Sequence, residues 1–473
     1  MTQSISNDSL PRGVIGQFRL VWQAMGALSI AADAAYLLTG VALFALGATP
    51  LSILLGVIFY LFIMNTGYQF SKFVSSAGSY YKFAALSLGG TVGTFQAWNM
   101  IFYTTLGYGS FGFLGLASFI TLIDPKYSLP EFWIPVAVAA ALVSFLLTYF
   151  GIRASTDYQI LGGLIEVGVI IAGSIAIIVS AGHSNTLEVF TTSLLPGGVS
   201  QLFYSMIYSV VLFFGTTLSV TSLAEETREP EKSVTRALIT TTVIAGFTLV
   251  LVSYAFTVGW GPRDMSSFAT SPDPGLILFR EHGVLLYALL IAVTVNSFMG
   301  YNIAVSNSNS RVYYTFARDG ILFLPRSLAR VHSRYGSPHV SATFVLVASL
   351  VVALAFGLAF GPAEGGLLML YANGYCAYLE HIVASIGLPV MARKRGQFRV
   401  VQHLLFPAVA VGVLGAVIFF SFYPSPPAYP FDLAAYIGVA WIPFSAIMAT
   451  VEYRLHPERV LAAGRAPSEA GGE

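Results

Sequence analysis

A chain of 473 residues that is 56% hydrophobic and only 10% charged is excluded from the soluble globular class. Soluble domains carry roughly 25% charged residues, and surface-to-volume scaling limits how much apolar surface a core can hide. The mean hydropathy of +0.75 indicates a polytopic membrane protein, and a net charge of +1 gives no reason to expect a nucleic-acid partner.

Residues 1–20 are polar and read as a cytoplasmic N-terminal segment. The apolar run that follows is too long for the h-region of a cleavable signal peptide, roughly 7–15 residues. A membrane span needs roughly 20 apolar residues. On that measure twelve transmembrane helices are predicted, at about 22–47, 51–71, 93–123, 132–152, 158–182, 200–222, 236–260, 282–308, 338–361, 366–391, 402–423 and 433–453. The fold class is therefore all-α and polytopic. Short connections leave one transmembrane domain, 21–455, with no inserted soluble domain. Residues 456–473, ending in APSEAGGE, read as a disordered cytoplasmic tail.

Lys and Arg placement sets the orientation. With both termini on one side, that side holds every basic residue except Lys126, Arg263 and Arg280. It includes the cluster Arg393, Lys394, Arg395 and Arg399. The bias predicts an even number of spans with both termini cytoplasmic, in a cell membrane.

Two spans carry interruptions. In the first, SIAADAAYLL (29–38) follows Gly26 and places Asp33 near the middle of an apolar run. A carboxylate there costs roughly 2.5–3.5 kcal/mol on insertion scales. In the sixth, FFGTTLS (213–219) breaks the pattern. Paired interruptions five helices apart point to an inverted-repeat transporter with discontinuous helices. No residue-level identity links spans 1–5 with spans 6–10, so the repeat rests on the spacing of the breaks.

Several motif matches are set aside. GYGSFG (107–112) fits G-x-G-x-x-G, but it lies inside a span with no preceding strand, and close helix packing explains it better. Glu380–His381 lacks a second His at metal spacing. Cys376, the only cysteine, excludes an intrachain disulfide and reads as a small buried side chain. No G-x-x-x-x-G-K-[ST] occurs, so energy comes from a gradient or from exchange. No cofactor or metal is implied, and no nucleophile–base constellation suggests an enzyme.

Three stretches on the basic side carry more information: SSAGSYYKFAALSLGG (75–90), SLAEETREPEKSVTRALI (222–239), and 306–341, which begins SNSNSRVYYTFARDG. The first suits an amphipathic or re-entrant segment at the interface. In the second, Glu225, Glu226 and Glu229 lie beside Arg228, Lys232 and Arg236. Pro230 ends one helix there and Ser233 caps the next. The three together resemble the amino acid–polyamine–organocation (APC) superfamily. Ala77-Gly78-Ser79-Tyr80 matches its glycine–tyrosine stretch, and Glu226 to Pro230 its E-x-x-x-P segment. Arg311, Tyr314, Phe316-Ala317-Arg318-Asp319-Gly320 and Pro325 match its third segment, with Ser337-Pro338 beyond. The similarity covers roughly residues 20–450.

The resemblance implies a five-plus-five inverted-repeat (LeuT-type) fold. Repeat one covers about 21–182, repeat two about 200–393, and two further helices about 402–453. It also implies that helices one and six unwind at the midplane to bind the solute. A broken helix exposes N–H groups and carbonyls that lipid cannot satisfy, so a polar ligand can use them. Gly215 matches the glycine of the helix-six break. Phe213, Phe214, Thr216 and Thr217 are candidates to line the pocket or, alternatively, to pack the helices. Family members usually carry G-x-G-I-F in helix one, whose amides hold the substrate carboxylate. Here Ala34-Ala35-Tyr36-Leu37-Leu38 takes that place, preceded by Asp33. An acid beside the pocket would repel a carboxylate by about 4 kcal/mol at 4 Å with an effective dielectric of 20. It favours an amine or a metal cation. The alternatives are a protonatable coupling group or a structural carboxylate bonded to unwound backbone or a Tyr.

Glu166, in LGGLIEVGVII, is the second intramembrane acid. In some family members the matching position holds a lysine that takes the place of a sodium ion. Glu166 is read either as a proton carrier or as a protonated group bonded to helix eight, with Asn302, Ser306 or Asn307 as partner. Asn99, Tyr103 and Tyr108 in helix three are weaker pocket candidates, as is Asn296. Glu380 and His381 read as a structural pair or as lining of a water cavity, and Asp432 as solvated. The reading is a secondary transporter for a small amino acid or amine, coupled to protons or exchanging solutes. An inorganic cation such as potassium is the nearest alternative solute. A channel or a substrate sensor is the alternative of another class.

Overall fold

The fold is known from a computed structural model, which describes residues 9–465 apart from 123, 196 and 424–428. Every regular element among the described residues is helical, and one isolated bridge joins Ile15 to Thr227. Helices satisfy their backbone groups internally, which hydrocarbon demands of any spanning segment. Among the described residues, ten helical stretches are long and apolar enough to cross a membrane.

In chain order the helices are α1 (Gln17–Leu28) and α2 (Leu38–Ala45), α3 (Thr49–Phe70), α4 (Tyr80–Leu88), and α5 (Gly90–Gly107). The last continues through wide π-type turns, Tyr108–Gly115, into α6 (Leu116–Thr121). Next come α7 (Pro130–Tyr149), α8 (Ile152–Ala181), α9 (Gly198–Val211), α10 (Gly215–Thr221) and α11 (Pro230–Trp260). The short α12 (Met265–Thr270) and α13 (Pro274–Glu281) precede α14 (Val284–Asp319), α15 (His339–Phe360) and α16 (Pro362–Lys394). The chain ends with α17 (Phe406–Phe420), α18 (Phe431–Leu455) and α19 (Pro457–Ala463).

The expected spans at about 22–47 and 200–222 are the two that do not form single long helices. α1 stops at Ser29, which is left-handed with φ 55° and ψ 54°. A non-glycine residue in that region stores of order 1–3 kcal/mol of strain unless its surroundings hold it. Here the Ser29 hydroxyl bonds to the carbonyl oxygens of Gly26 and Ser297, each at 3.1 Å. One short turn, Ile30–Ala32, leads into π-type turns over Asp33–Leu37 and then α2. The second interruption is milder than the resemblance implies. Leu212–Phe214 tighten rather than unwind, with i→i−3 bonds from Phe213 N–H to Val210 O (3.2 Å) and from Phe214 N–H to Val211 O (3.1 Å).

Small residues set the helix crossings around the first break, as they do where dispersion rather than water drives packing. A Cβ on Gly26 would lie 3.1 Å from the Gly300 carbonyl oxygen, and one on Gly215 would lie 2.8 Å from that of Ala27. GYGSFG serves the same purpose, since a Cβ on Gly112 would fall 2.1 Å from Asn302 Oδ1.

Two peripheral expectations change. α4 is mostly buried and packs into the helix bundle, with Tyr80, Tyr81 and Phe83 in the core, so it is not an amphipathic helix lying exposed on the surface. Part of the expected disordered tail is ordered. In α19, Val460 and Ala463 are buried, and the Ala463 carbonyl accepts from Lys82 Nζ at 3.0 Å. Residues 466–473 lie outside the described residues.

Candidate functional site

The break in the first span leaves N–H groups that α1 no longer pairs, and two side chains take them up. Ala31 N–H donates to Glu166 Oε1 at 2.9 Å, and Ala32 N–H donates to Ser297 Oγ at 3.2 Å. Ser297 in turn donates to Glu166 Oε1 at 2.7 Å, and Asn296 Nδ2 donates to Glu166 Oε2 at 3.3 Å. Glu166 therefore bridges α8, the broken segment and α14, and acts as a side-chain cap inside the bundle.

The helix-eight partners of Glu166 are thus Ser297 and Asn296, not Asn302, Ser306 or Asn307. The difference is one of register, because a residue five positions along a helix faces a different neighbour. Asn302 donates to the Gly112 carbonyl at 2.9 Å. Asn307 donates to Gln23 Oε1 at 3.1 Å and to Ser155 Oγ at 3.0 Å. Ser306 is buried on the same helix. The sequence signal for Ser297 was absent, since nothing local marks which serine of α14 meets the break.

A narrow cleft opens beside the Ala27–Gly215 contact. Ala27, Tyr103, Thr104, Gly107, Tyr108, Gly215, Tyr301 and Asn309 are among the residues that line it. Tyr301 Oη donates to the Gly107 carbonyl at 3.0 Å, and Asn309 Nδ2 to the Thr104 carbonyl at 3.1 Å. Gly215, Tyr103 and Tyr108, singled out in the sequence, meet here. Tyr301, Thr104 and Asn309 were missed, because their placement depends on how α14 crosses α5.

The other candidates do not line the cleft. Asp33 is 2% exposed, and its Oδ2 has no hydrogen-bond partner among the described residues. It lies within electrostatic reach of Glu166 and of Tyr301. Ala34 and Ala35 pack against α13, where a Cβ on Gly275 would lie 3.0 Å from the Ala34 carbonyl oxygen. The side chain of Tyr36 lies outside the described residues. Phe213 stacks on Tyr60 at 5.2 Å, and Phe214 on His381 at 4.9 Å. Thr217 Oγ1 bonds with Tyr60 Oη at 3.2 Å, and Thr216 is buried with Oγ1 unpaired. Asn99 is buried between α5 and α16, where its Oδ1 faces the Cys376 sulfur at 3.7 Å. Glu380 and His381 do not pair. His381 bonds instead with Tyr80 Oη at 3.0 Å.

The three motif stretches come together in one network. Arg311 of α14 forms an ion pair with Glu226, whose carboxylate it contacts through Nε and Nη2. Arg318 pairs with Glu225 at 2.9 Å, and Glu225 Oε1 accepts from Ala77 N–H at 3.0 Å. Lys82 pairs with Asp319 at 2.6 Å, and Tyr81 Oη donates to Asp319 Oδ2 at 2.8 Å. The Glu226 carbonyl also accepts from Val14 N–H at 2.9 Å, which ties in the N-terminal segment. By contrast, exposed loop pairs stand alone. The Lys126 backbone N–H and ammonium hold the Asp124 carboxyl below its ordinary range, and the Lys232 ammonium does the same for Glu229.

A bundle of apolar helices long enough to span a bilayer, one broken at an internal cap beside a small cleft, marks a multi-pass membrane protein. The sequence model of the amino acid permease family matches residues 20–456, and the chain belongs to that family. It is a transporter and not an enzyme. The chain is 24% identical over 360 residues to the branched-chain amino acid permease BcaP of Bacillus subtilis, covering 71% of this chain and 74% of that one. It is 24% identical over 231 residues to the human large neutral amino acids transporter small subunit 2, covering 46% of this chain and 40% of the relative. It is 25% identical over 299 residues to the low-affinity putrescine importer PlaP of Escherichia coli, covering 61% and 64%.

Proposed function

We propose that the protein is a secondary active transporter that moves an amino acid or another small amine by alternating access, with Asp33 as the group that favours a positively charged amine. The observation that carries this reading is the internal break at Ser29–Ala32, held by Glu166 and Ser297 beside the Ala27–Gly215 cleft. Polar backbone freed at membrane depth is tolerated only where protein or a ligand satisfies it. The relatives' names support the amine. A branched-chain amino acid and putrescine share an ammonium and little else. Asp33, buried with an unpaired oxygen, suits that shared group.

In this reading the chain has twelve spans, the two interrupted ones included, arranged as a five-plus-five inverted repeat, with both termini cytoplasmic as the Lys and Arg bias favours. Glu166 is the proton-coupling group. It already holds the broken segment, so its protonation would loosen the cap and shift α1 against α8 and α14. The Glu226–Arg311 network closes the basic side of the bundle and must part for the solute to leave there.

The test is counterflow into proteoliposomes of the purified protein, with labelled neutral amino acids, basic amino acids and amines, and a pH dye inside the vesicles. Saturable counterflow of an amine-bearing solute, with lumenal acidification on uptake, is the expected result. Conductance without counterflow would make the protein a channel. Uptake of rubidium alone would make it an inorganic-cation carrier.

A further inference from the structure

Away from Asp33, Glu166 and Glu226, the bundle buries a further acid for which the transport reading has no use. Glu380 of α16 is 1% exposed, and its Oε1 has no partner among the described residues. On the α5 face that meets α16 at Cys376 are two amides with spare capacity. Gln96 is fully buried with both amide atoms unpaired, and Asn99 is fully buried with Nδ2 unpaired. Unpaired polar groups in a dry interface are expensive and rare, at roughly 1–3 kcal/mol each.

Helical spacing makes this a lined-up feature. Gln96, Asn99 and Tyr103 lie at i, i+3 and i+7 on α5, and Asn373, Cys376 and Glu380 at i, i+3 and i+7 on α16, so each set shares a face. The two faces touch. Cys376 meets Asn99 at 3.7 Å, and a Cβ on Gly107 would lie 3.3 Å from the Asn373 amide nitrogen. The α5 stripe ends in the cleft, since Tyr103 and Gly107 line it. Tyr103 lies within electrostatic reach of Glu380. His381 cannot supply the missing partner, because it is held by Tyr80 and stacked on Phe214.

We infer that Glu380, Gln96 and Asn99 form a second site, between α5 and α16, that binds a desolvated monovalent cation. The carboxylate supplies the opposing charge, the unpaired Gln96 amide oxygen supplies a further ligand, and the Tyr103 ring gives an aromatic wall of the kind that stabilises cations; Asn99 Nδ2 can only donate, so its part is to orient the ligating oxygens. The same chemistry fits two sources, the far ammonium of a solute whose other end lies in the cleft, or a free alkali-metal ion. Only the first source rests on the transport reading above.

Thermal shift of the full-length purified protein tests the site. One arm titrates sodium and potassium chloride against choline chloride at constant ionic strength. The other compares 1,4-diaminobutane with 1-aminobutane. The wild type should gain melting temperature in one arm, and Glu380→Gln should weaken that apparent affinity at least about tenfold, the loss of one charge-assisted contact. Gln96→Leu should weaken it in the same direction, and the unliganded melting temperature shows whether either variant is folded. A response to the salts alone assigns the site to a free ion, and a preference for the diamine assigns it to the solute. Equal responses of wild type and Glu380→Gln, or no response in either arm, would overturn the site. If amines are bound equally by wild type and variant and the salts do not distinguish the two proteins either, the site falls and the transport reading stands. If only the alkali ions respond and no solute is transported, the site stands and that reading falls.

Discussion

The guanidinium of Arg311 and the carboxylate of Glu226 face each other with side-chain exposures of 0% and 1%, which fastens the segment after α10 to the C-terminal third of α14. Arg311 also donates from Nη1 to the Asn307 carbonyl at 3.0 Å, so the arginine is satisfied on both sides. A buried pair of this kind is weak evidence for net stability, but breaking it is costly because one charge is left alone. Arg311→Met and Glu226→Gln should each destabilise the protein by about 3–5 kcal/mol, while the double variant should recover much of that loss. Melting temperatures of the three variants form the check. A double variant as unstable as the sum of the singles would show that the two residues act separately.

Glu166 makes a second prediction through the hydrogen bond from Ala31. Glu166→Ala leaves that N–H and the Ser297 hydroxyl without their acceptor, so stability should fall by about 1–3 kcal/mol. Glu166→Gln keeps one acceptor oxygen and should fold nearly as well as the wild type. Its uptake should no longer acidify the vesicle lumen. Acidification that persists in Glu166→Gln would reduce Glu166 to a structural cap.

Much of this arrangement was legible in the sequence, and the part that was not has a common cause. The apolar runs gave the long helices because a span in lipid is a local property of roughly 20 residues. The interruption around Ser29–Asp33 was visible for the same reason, since a buried acid between alanines breaks the apolar pattern locally. What stayed hidden depends on rotation and register between helices far apart in the chain. Ser297 caps the break while Asn302, one and a half turns along, bonds to Gly112 instead, and no local pattern distinguishes them. The tightening at Leu212–Phe214 was likewise overdrawn as an unwinding, because a Phe-Phe-Gly run marks a weak point in a helix without fixing how it yields.

Gly215 is a test of the cleft itself. Its role is close approach and not backbone freedom, for a Cβ there would sit 2.8 Å from the Ala27 carbonyl oxygen and 3.4 Å from Ala27 Cβ. Backbone cannot swing aside as a flexible side chain can, so Gly215→Ala should push α10 from α1. Overpacking of that kind costs typically about 1–3 kcal/mol. Because the same contact borders the cleft, uptake should fall more steeply than melting temperature does. Gly412→Ala, at a position where an added Cβ meets nothing within 4 Å, is the control and should leave both unchanged. Equal behaviour of the two variants would mean that the Ala27–Gly215 approach does not govern transport.

Asp33 gives the most direct test of solute charge. Its Oδ2 is buried without a partner among the described residues, and an uncompensated buried charge is costly. Removing the charge should therefore relieve the empty protein, so Asp33→Asn should melt at the same temperature as the wild type or higher. A cation brought to the site would lose its counter-charge. At 4 Å and an effective dielectric of 20 that attraction amounts to about 4 kcal/mol, of which desolvation of the partners takes back a part. Uptake of an amine-bearing solute by Asp33→Asn should accordingly drop at least about tenfold in apparent affinity, with solutes lacking an ammonium group affected far less. The measurement is competition by cationic and neutral solutes in the same proteoliposomes. If Asp33→Asn competes with unchanged affinities and melts lower than the wild type, the carboxylate is a structural group and the charge preference must arise elsewhere in the bundle.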